Sequence, residues 1–300
     1  MEIRKLSDLF ENLKEGKKRT VVVANAIDDH TVGAVSRAVD MGIVDAILVG
    51  DKDKIEAACR LENFDPSRVE IVHVDENGNP AMRAVELIHE GRGELLMKGL
   101  VSTDVFMRAI LNKEKGLLPP KAVLSHITVV ENPMYHKLLV STDVAVIPLP
   151  DLNQKIAMAN YLIRTAKCLG VEKPKVAVIA ATEQVLSGMQ ACLDAAILSK
   201  MGERGQIKGG IIDGPMALDV AVDHESAEIK GVTSPVAGDA DCLLFPSIEA
   251  ANVYYKMCTK LCKTHQAAFV AGAKVPCILA SRGDSIEAKL NSIALSAFIG

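Results

Sequence analysis

Two short stretches of the chain carry residues whose types and spacing could bind an anion. The first is SRGDS (281–285), which follows the apolar run VPCILA and precedes a helical pattern. An arginine at the mouth of a buried strand must reach water or an anion, and its guanidinium fork matches phosphate in bidentate fashion. The serine before it offers a donor to an oxygen that gains charge. We therefore expect an anion site with Ser281 and Arg282 at its centre.

The residues after Arg282 also have a purely structural interpretation. Asp284 followed by Glu287 has the spacing of a helix capping box, which requires no function. Gly283 would permit an unusual backbone angle or the close approach of a ligand. Because capping leaves Ser281 and Arg282 unexplained, the anion-site hypothesis is favoured for this stretch.

The second stretch is KGLVSTD (98–104), where a strand is predicted to end and a helix to begin. Ser102 and Thr103 supply hydroxyls and Asp104 a carboxylate, and Arg108 follows about one helical turn later. One of the three polar residues could simply cap the helix, with Arg108 in solvent. The residues alone leave the capping and the anion-binding interpretations open.

The elements that position these stretches form an alternating pattern. Continuous runs of Val, Ile and Leu alternate with helical periodicity, which predicts an α/β fold with mostly parallel, buried strands. Ligands of such sheets bind beyond the carboxyl ends of the strands, beside helix N-termini. The predicted strands are 20–26, 45–50, 69–74, 94–101, 175–181, 209–215 and 240–247. Two further apolar runs, 122–130 and 143–150, are counted as strands as well. The predicted helices are 30–42, 51–62, 79–91, 102–112, 153–170, 185–202 and 249–262.

Composition restricts the class of protein. The chain has 300 residues, a net charge of −4, 49% hydrophobic residues and 24% charged residues, which is typical of a globular protein with two domains or one large α/β unit. Its slight acidity argues against nucleic acid as a partner, since binding a phosphate backbone needs a basic surface. With 3% aromatic residues and no Trp, platforms for base stacking are not expected either.

No apolar run reaches the roughly 18 residues that cross a bilayer, so we expect no membrane association. The charged N-terminal stretch lacks the apolar core of a signal peptide, so the prediction is a cytoplasmic protein. Its seven cysteines form no CxxC pair and are expected to be free thiols. No metal-ligand spacing is present, and GxGxxG, GxxxxGK[ST], HExxH and GxSxG are absent, so no metal or dinucleotide cofactor is predicted.

Over essentially its whole length, the chain resembles the phosphate acyltransferases, a family that comprises phosphate acetyltransferases and phosphate butyryltransferases. The segments that carry the resemblance are KGLVSTDVFMRAIL (98–111), STDVAVIPLPD (141–151), TSPVAGDADCLLFPSIEAANVYYK (233–256) and SRGDS (281–285). The chain is more similar to the butyryltransferases, because it is short and reads TEQVLSGMQACLDAA where acetyltransferases carry a Ser/Thr-Gly-rich signature.

The resemblance implies the reaction acyl-CoA + phosphate = acyl phosphate + CoA with a short acyl chain, and butyryl-CoA is the expected substrate. It implies two α/β domains with an inter-domain cleft, as in isocitrate and isopropylmalate dehydrogenases. The first domain would comprise residues 1–119 and 268–300, and the inserted second domain 120–267. It further implies a homodimer that needs no cofactor, with coenzyme A as a substrate.

The resemblance also assigns roles to residues. Ser281 matches the serine that stabilises the tetrahedral transition state, and Arg282 an arginine at the phosphate and CoA site. Arg108 matches a second substrate-binding arginine, after a one-residue shift of the alignment, and Arg83 is a weaker match to a third. In the same site we expect Ser102, Thr103 and Gly283 from the two turns.

The base that deprotonates the thiol is missing from its expected position. Acetyltransferases have an aspartate seven residues after the serine, where this chain has Ala288. Four residues stay open as the replacement, namely Glu287, Asp284, His126 and His136.

Three alternatives accompany the leading prediction. The enzyme could prefer acetyl-CoA. It could be a dehydrogenase of the isocitrate type, which would need a cluster of metal-binding aspartates that the sequence does not display. It could also be a CoA-binding homologue without activity, for which Ala288 is the argument.

Overall fold

The computed structural model describes residues 2–280 and 283–300. The chain divides into two compact units, each built of strands and helices. The first unit comprises Leu6–Leu124 and Ala267–Gly300, and the second comprises Ser125–Gln266 with the N-terminal residues up to Lys5. The predicted domain boundaries, after residues 119 and 267, stay predictions; the compact units divide after residues 124 and 266.

The first unit alternates strands and helices along the chain. Its strands are β1 (Arg19–Ala24), β2 (Val44–Gly50), β3 (Glu70–His73), β4 (Leu95–Lys98), β10 (His265–Ala271, in this unit from Ala267) and β11 (Cys277–Ile278). Its helices are α1 (Ser7–Lys14), α2 (Asp29–Asp40), α3 (Lys52–Leu61), α4 (Pro80–His89), α5 (Thr103–Ile110) and α11 (Ile286–Ile299), with a short 3-10 helix at Pro66–Arg68.

The sheet of the first unit has the strand order β3-β2-β1-β4-β11-β10. All neighbours are parallel except β10 and β11, which pair antiparallel with Val270 opposite Cys277. The run Val21–Val23 of β1 is fully buried, as a continuous β-branched run between helical layers requires. The prediction of a mostly parallel α/β fold is thereby confirmed.

The second unit repeats the α/β alternation. Its strands are β5 (Ser125–Glu131), β6 (Leu139–Thr142), β7 (Lys175–Ile179), β8 (Ile211–Met216) and β9 (Cys242–Leu244). Its helices are α6 (Leu152–Cys168), α7 (Gln190–Glu203), α8 (Leu218–Val222), α9 (His224–Ile229) and α10 (Ile248–Lys260). The strand order is β5-β6-β9-β7-β8, and only β5 and β6 are antiparallel.

A buried ion pair joins two helices of the second unit. Lys155 on α6 and Asp194 on α7 are almost fully buried, and the Nζ and Oδ2 atoms lie 2.6 Å apart. The amide of Gln190 donates to the other carboxylate oxygen at 2.8 Å. Because each charge has a partner inside the protein, removing one partner would leave an uncompensated buried charge.

Three elements differ from the prediction. The apolar run 143–150 is not a strand; the strand is β6, directly before it. Asp143 ends the extended chain, because its Oδ1 accepts hydrogen bonds from the N–H groups of Ala145 and Val146 at 2.8 Å. The helix predicted from residue 185 begins only at Gln190, and strand β10 was not predicted.

Among residues 2–280 and 283–300, no helix is both long enough and apolar enough to cross a membrane. All seven cysteines are free thiols, as predicted. Five of them are buried, whereas Cys168 and Cys262 are exposed.

Candidate active site

Both stretches with anion-binding residues leave neighbouring strands of the first unit. Strands β4 and β11 are parallel, with Leu96 opposite Cys277 and Met97 opposite Ile278. Their carboxyl ends therefore reach the same edge of the sheet. We call residues 99–102 the β4 turn, and residues 279–280 and 283–285, the described residues between β11 and α11, the β11 turn.

The β4 turn is held against the end of β1 by backbone hydrogen bonds. The N–H of Gly99 donates to Ala24 O at 2.9 Å, and the N–H of Leu100 donates to Asn25 O at 2.8 Å. The side-chain amide of Asn25 donates back to Leu100 O at 2.7 Å. The β4 turn is thus held in position by its own strand, β4, and by hydrogen bonds to the end of β1.

Glycine is required at position 99 because another backbone passes so close. A Cβ atom at this position would lie 2.4 Å from Asn25 O and 2.8 Å from Ala24 O, which is much closer than real contacts. The clash would be with backbone atoms, which cannot rotate away. Gly99 therefore lets the β4 turn approach β1.

Ser102 is the N-cap of α5. Its Oγ accepts a hydrogen bond from the N–H of Val105 at 3.2 Å, and Thr103 is the first residue of the helix. The capping interpretation is therefore correct for Ser102. Both hydroxyl residues are exposed, at the helix terminus where free N–H groups and the helix dipole favour an anion. Their predicted role in substrate binding stays a prediction.

Lys98 is a site candidate that the analysis of the sequence missed. It ends β4 with 4% of its surface exposed, and its Nζ lies 3.3 Å from Gly99 O. A cation buried to this degree is rare at an ordinary strand end. A lysine that ends an apolar run and precedes glycine was the available signal, but the sequence alone does not show burial.

Arg108 lies on α5 with its side chain 79% exposed. Its Nε donates to Asp104 Oδ1 at 3.0 Å, an exposed pair one helical turn apart. Such a pair is weak and screened by water, so it competes little with a phosphate for the guanidinium. Arg108 is thus accessible, in the last turn of the short helix that Ser102 caps.

Ser281 and Arg282, the central residues of the predicted anion site, lie outside the described residues. Of the rest of the β11 turn, Gly283 is exposed, and a Cβ atom built there would meet no atom of residues 2–280 and 285–300 within 4 Å. Packing against these described residues therefore does not require glycine at position 283, in contrast to position 99.

The predicted capping box at Asp284 and Glu287 is wrong. The N-cap of α11 is Ser285, whose Oγ accepts from the N–H of Ala288 at 3.2 Å. Asp284 therefore precedes the cap, and its backbone carbonyl accepts from the Nζ of the buried Lys289 at 2.9 Å. Glu287 lies exposed in the first turn of α11. The carboxylate of Asp284 is thus not used as the helix cap.

Arg83 lies on α4, where two carboxylates neutralise it. Its Nη1 is 2.7 Å from Glu90 Oε1 and 3.3 Å from Glu86 Oε2. The hydrogen bond with Glu90 is the main cause that raises the pKa of Arg83 above its usual value. A guanidinium held in this way has less capacity for a substrate than Arg108, and its substrate-binding role stays a prediction.

The two histidines considered as bases lie in the second unit. His126 is 3% exposed in β5, and its backbone N–H donates to Asp143 Oδ2 at 3.1 Å. His136 is exposed, with Nε2 2.8 Å from Asp239 Oδ1. Burial disfavours the charge of Asp239, but hydrogen bonds from Lys175, Lys137 and His136 outweigh it and hold the pKa of this carboxyl far below its usual range.

The described part of the chain contains no group of three or more His, Cys, Asp or Glu side chains that could hold a metal ion. The chemistry available at the β4 and β11 turns is instead that of helix N-termini, hydroxyls and cations. This set of groups suits a phosphate or another oxyanion.

Comparison with known proteins gives a consistent result. The family model for phosphate acetyl/butaryl transferase matches residues 5–80 and 75–297. A phosphate butyryltransferase from Clostridium acetobutylicum is 43% identical over 297 residues, which covers 99% of this chain and 98% of the relative. A phosphate acetyltransferase from Thermotoga maritima is 41% identical over 286 residues, with 95% and 96% covered.

A solved structure, that of a branched-chain phosphotransacylase from Enterococcus faecalis V583, has the same fold. Its TM-score is 0.82 at 26% sequence identity, and the match covers 94% of this chain and 98% of that one. Together with the family model, these similarities establish the relationship over nearly the full length. The chain belongs to the phosphate acetyl/butaryl transferase family.

Proposed function

We propose that the protein is a phosphate acyltransferase that converts a short-chain acyl-CoA and inorganic phosphate into an acyl phosphate and CoA, and the reverse. Its membership of the family supports this proposal. The observation that carries it is the common edge of β4 and β11, where two turns and two helix N-termini come from neighbouring parallel strands. This is the place at which open α/β sheets bind ligands.

Phosphate binding follows from the charges of this edge. The N-termini of α5 and α11 present N–H groups without intrahelical partners, and the helix dipoles favour an anion. Lys98 adds a buried cation at the end of β4, and Arg108 an accessible guanidinium on α5. Arg282 supplies the further guanidinium that the family resemblance implies for phosphate and CoA.

In the direction that consumes acyl phosphate and forms acyl-CoA, the thiol sulfur of CoA attacks the carbonyl carbon, and the bond between this carbon and the phosphate oxygen breaks. The thiol proton goes to a base, and the phosphate leaves with the bonding electrons. A thiol has a pKa of about 8.5, so a base accelerates the attack at neutral pH. We propose a ternary complex without an acyl-enzyme, since holding both substrates together is itself a large contribution.

Ser281 would donate its hydroxyl to the carbonyl oxygen as that oxygen gains charge. One such preorganised donor contributes roughly 3 kcal/mol to transition-state stabilisation. Asp284 and Glu287 are the candidate bases closest in sequence to this serine. Asp284 precedes the N-cap Ser285 and Glu287 lies in the first turn of α11, so both stay candidates for the base.

The experiment on Ser281 uses Ser285 as a matched control. We expect Ser281→Ala to lower kcat about a hundredfold in a thiol-release assay, with its melting temperature unchanged. Ser285→Ala removes a helix cap and should cost about 1 kcal/mol of unfolding free energy while kcat stays within a few-fold. If Ser281→Ala turns over like the parent, the catalytic assignment is wrong, although the fold and the family are unaffected.

We propose butyryl-CoA as the preferred substrate, on the basis of the short chain and the TEQVLSGMQACLDAA segment. The acetyl-CoA alternative has support of its own, because the identities to the named butyryltransferase and acetyltransferase differ by little. Comparison of kcat/KM for acetyl-, propionyl- and butyryl-CoA decides between them. Equal or faster turnover of acetyl-CoA would exclude the butyryl preference, and no turnover of any of the three would exclude the acyltransferase proposal.

We also propose that the enzyme acts as a homodimer in the cytoplasm and needs neither a metal nor a redox cofactor. The free cysteines are typical of a reducing compartment. Light scattering after size-exclusion chromatography tests the dimer, and full activity after treatment with EDTA is expected for the metal-free reaction.

A further inference from the structure

The second unit contains a basic groove that the proposed reaction does not use. The groove has a volume of about 410 Å³ and is lined by Asn160, Ile163, Arg164, Lys167, Cys168, Lys208 and Gly209. One wall is the last two turns of α6, and the other is the segment that leads into β8. We call it the α6 groove.

The two walls are in close contact because of two glycines. A Cβ atom at Gly209 would lie 3.1 Å from Lys167 Nζ, and one at Gly210 would lie 3.1 Å from Ile163 Cγ1 and 2.7 Å from Pro174 O. Gly209 also has a φ of 93°, which other residues rarely adopt. The local backbone thus places the Lys167 amine directly beside the chain that carries Lys208.

The three cations of the groove have no carboxylate partner. Arg164, Lys167 and Lys208 are exposed, and none of them forms an ion pair with any residue in the ranges 2–280 and 283–300. In the same unit, Lys137, Lys155 and Lys175 all pair with aspartates. Three adjacent positive charges repel one another, and a multiply charged anion would remove that repulsion.

The helix dipole explains only part of this cluster. Lys167 lies in the last turn of α6, where a cation interacts favourably with the free carbonyl groups. Lys208 belongs to the opposite wall and Arg164 lies one turn earlier, beyond the range of that effect. An apolar floor at Ile163 and three cations from two segments therefore need a different explanation.

The groove lies at the edge of the sheet where the parallel strands begin, whereas substrates of α/β sheets usually bind at the edge where the strands end. Helix α6 leads into the start of β7, and Lys208 and Gly209 precede the start of β8, so the groove lies at the amino ends of these parallel strands. Substrates of such sheets bind beyond the carboxyl ends. The groove is thus not a part of a catalytic edge of this sheet.

We propose that the α6 groove is a second binding site, for a small molecule that carries a diphosphate group. Arg164, Lys167 and Lys208 neutralise the phosphate oxygens, and the aliphatic parts of these exposed side chains contact the organic part, since Ile163 is only 4% exposed. The shared chemistry is that of inorganic pyrophosphate and of nucleoside diphosphates. This proposal is independent of the acyltransferase proposal.

The test combines calorimetry with protection of a thiol that lines the groove. Pyrophosphate and ADP are titrated into the parent, into the triple variant Arg164→Gln/Lys167→Gln/Lys208→Gln, and into the control Arg204→Gln/Lys256→Gln/Lys260→Gln. The control removes the same charge from exposed positions of the same unit. The rate of Cys168 alkylation is followed by peptide mass spectrometry with and without each probe, and Cys262 is the exposed reference cysteine.

We expect at least one probe to bind the parent and the control equally, and the triple variant at least about tenfold more weakly, since each lost charge contact weakens the complex. The same probe should slow alkylation of Cys168 and leave that of Cys262 unchanged. Tighter binding of ADP than of pyrophosphate would identify a nucleotide, and the reverse order a simple diphosphate.

Two results would overturn the proposal. One is that neither probe binds the parent or protects Cys168. The other is an equal loss of affinity in the triple variant and the control, because this would reflect net charge alone. Basal turnover of acyl-CoA by the triple variant should equal that of the parent, so a failure here leaves the proposed function intact.

Discussion

The β4 turn and the β11 turn leave neighbouring strands at the same edge, but they use glycine differently. Gly99 in the β4 turn has backbone oxygens of Ala24 and Asn25, at the end of β1, close to where a Cβ atom would lie, whereas a Cβ atom at Gly283 in the β11 turn would have none of the described residues beyond its chain neighbours within 4 Å. Each turn has a serine that caps the following helix, Ser102 for α5 and Ser285 for α11. The first turn is thus fixed by the protein, and the second has space beside its glycine.

This difference distinguishes a glycine that packing requires from a glycine that packing does not require, at the same edge of the sheet. Where the protein itself fills the space around a glycine, the residue is explained by structure. Where the described residues leave the space empty, packing gives no reason for glycine, and the approach of a substrate to the backbone is the hypothesis to test. We therefore expect the glycine-to-alanine substitution to have different effects on stability in the two turns.

The largest difference in stability is expected between the alanine variants of the two glycines. Gly99→Ala should lower the unfolding free energy by about 2 to 3 kcal/mol, because the added methyl group overlaps with backbone atoms that must move. Gly283→Ala should leave it within about 0.5 kcal/mol of the parent, as expected for an exposed site. Urea unfolding measures both, and equal losses would contradict the comparison.

Measurement of KM for phosphate and CoA gives a second test of the glycine variants. If the space beside Gly283 is occupied by substrate, Gly283→Ala should raise KM for phosphate or CoA by severalfold although its stability is unchanged. A KM identical to that of the parent for both substrates would show that Gly283 does not approach either one.

A medium effect is expected from the caps, where the two turns should behave alike. Ser102→Ala and Ser285→Ala each remove the acceptor for one N–H group in the first turn, which should cost about 1 kcal/mol. Ser102→Asp and Ser285→Asp, which restore an acceptor, should recover most of the loss. A loss confined to one of the two helices would mean that the turns differ in their capping as well.

The smallest effect on stability is expected at the exposed pair of α5. Arg108→Gln and Asp104→Asn both break the pair, and each should change the unfolding free energy by less than about 0.5 kcal/mol. Only Arg108→Gln should raise KM for phosphate, by about tenfold for the loss of one charged contact. If Asp104→Asn has the same kinetic effect, Arg108 acts through the pair and not on the substrate.

Much of the fold could be predicted from hydrophobic periodicity. Strand β1 and helix α2 are within three residues of their predicted bounds, because a run of valines and a stretch with period 3.6 have few other solutions. The failures have local causes. Side-chain hydrogen bonds of Asp143 turn the chain after β6, and β10 has the sequence HQAAFVA, in which alanine gives little strand signal.

The site was predictable only in part. The types of residue at 98–104 and 281–285 pointed to an anion, and the strand pairing of β4 with β11 places both turns at one edge. The burial of Lys98, the identity of the cap at Ser285 and the pairing of Arg83 with two glutamates depend on contacts between side chains. Such contacts follow from the packing of elements that are distant in sequence, which a single chain pattern does not reveal.

The order of elements along the chain has a consequence for biosynthesis. Strand β11 lies between β4 and β10, so the sheet of the first unit is incomplete until residues beyond Ala267 have left the ribosome. Residues 125–266 emerge earlier and can fold first. During translation, one edge of β4 therefore stays unpaired until β11 has been synthesised. We expect chaperones to bind such an exposed strand edge.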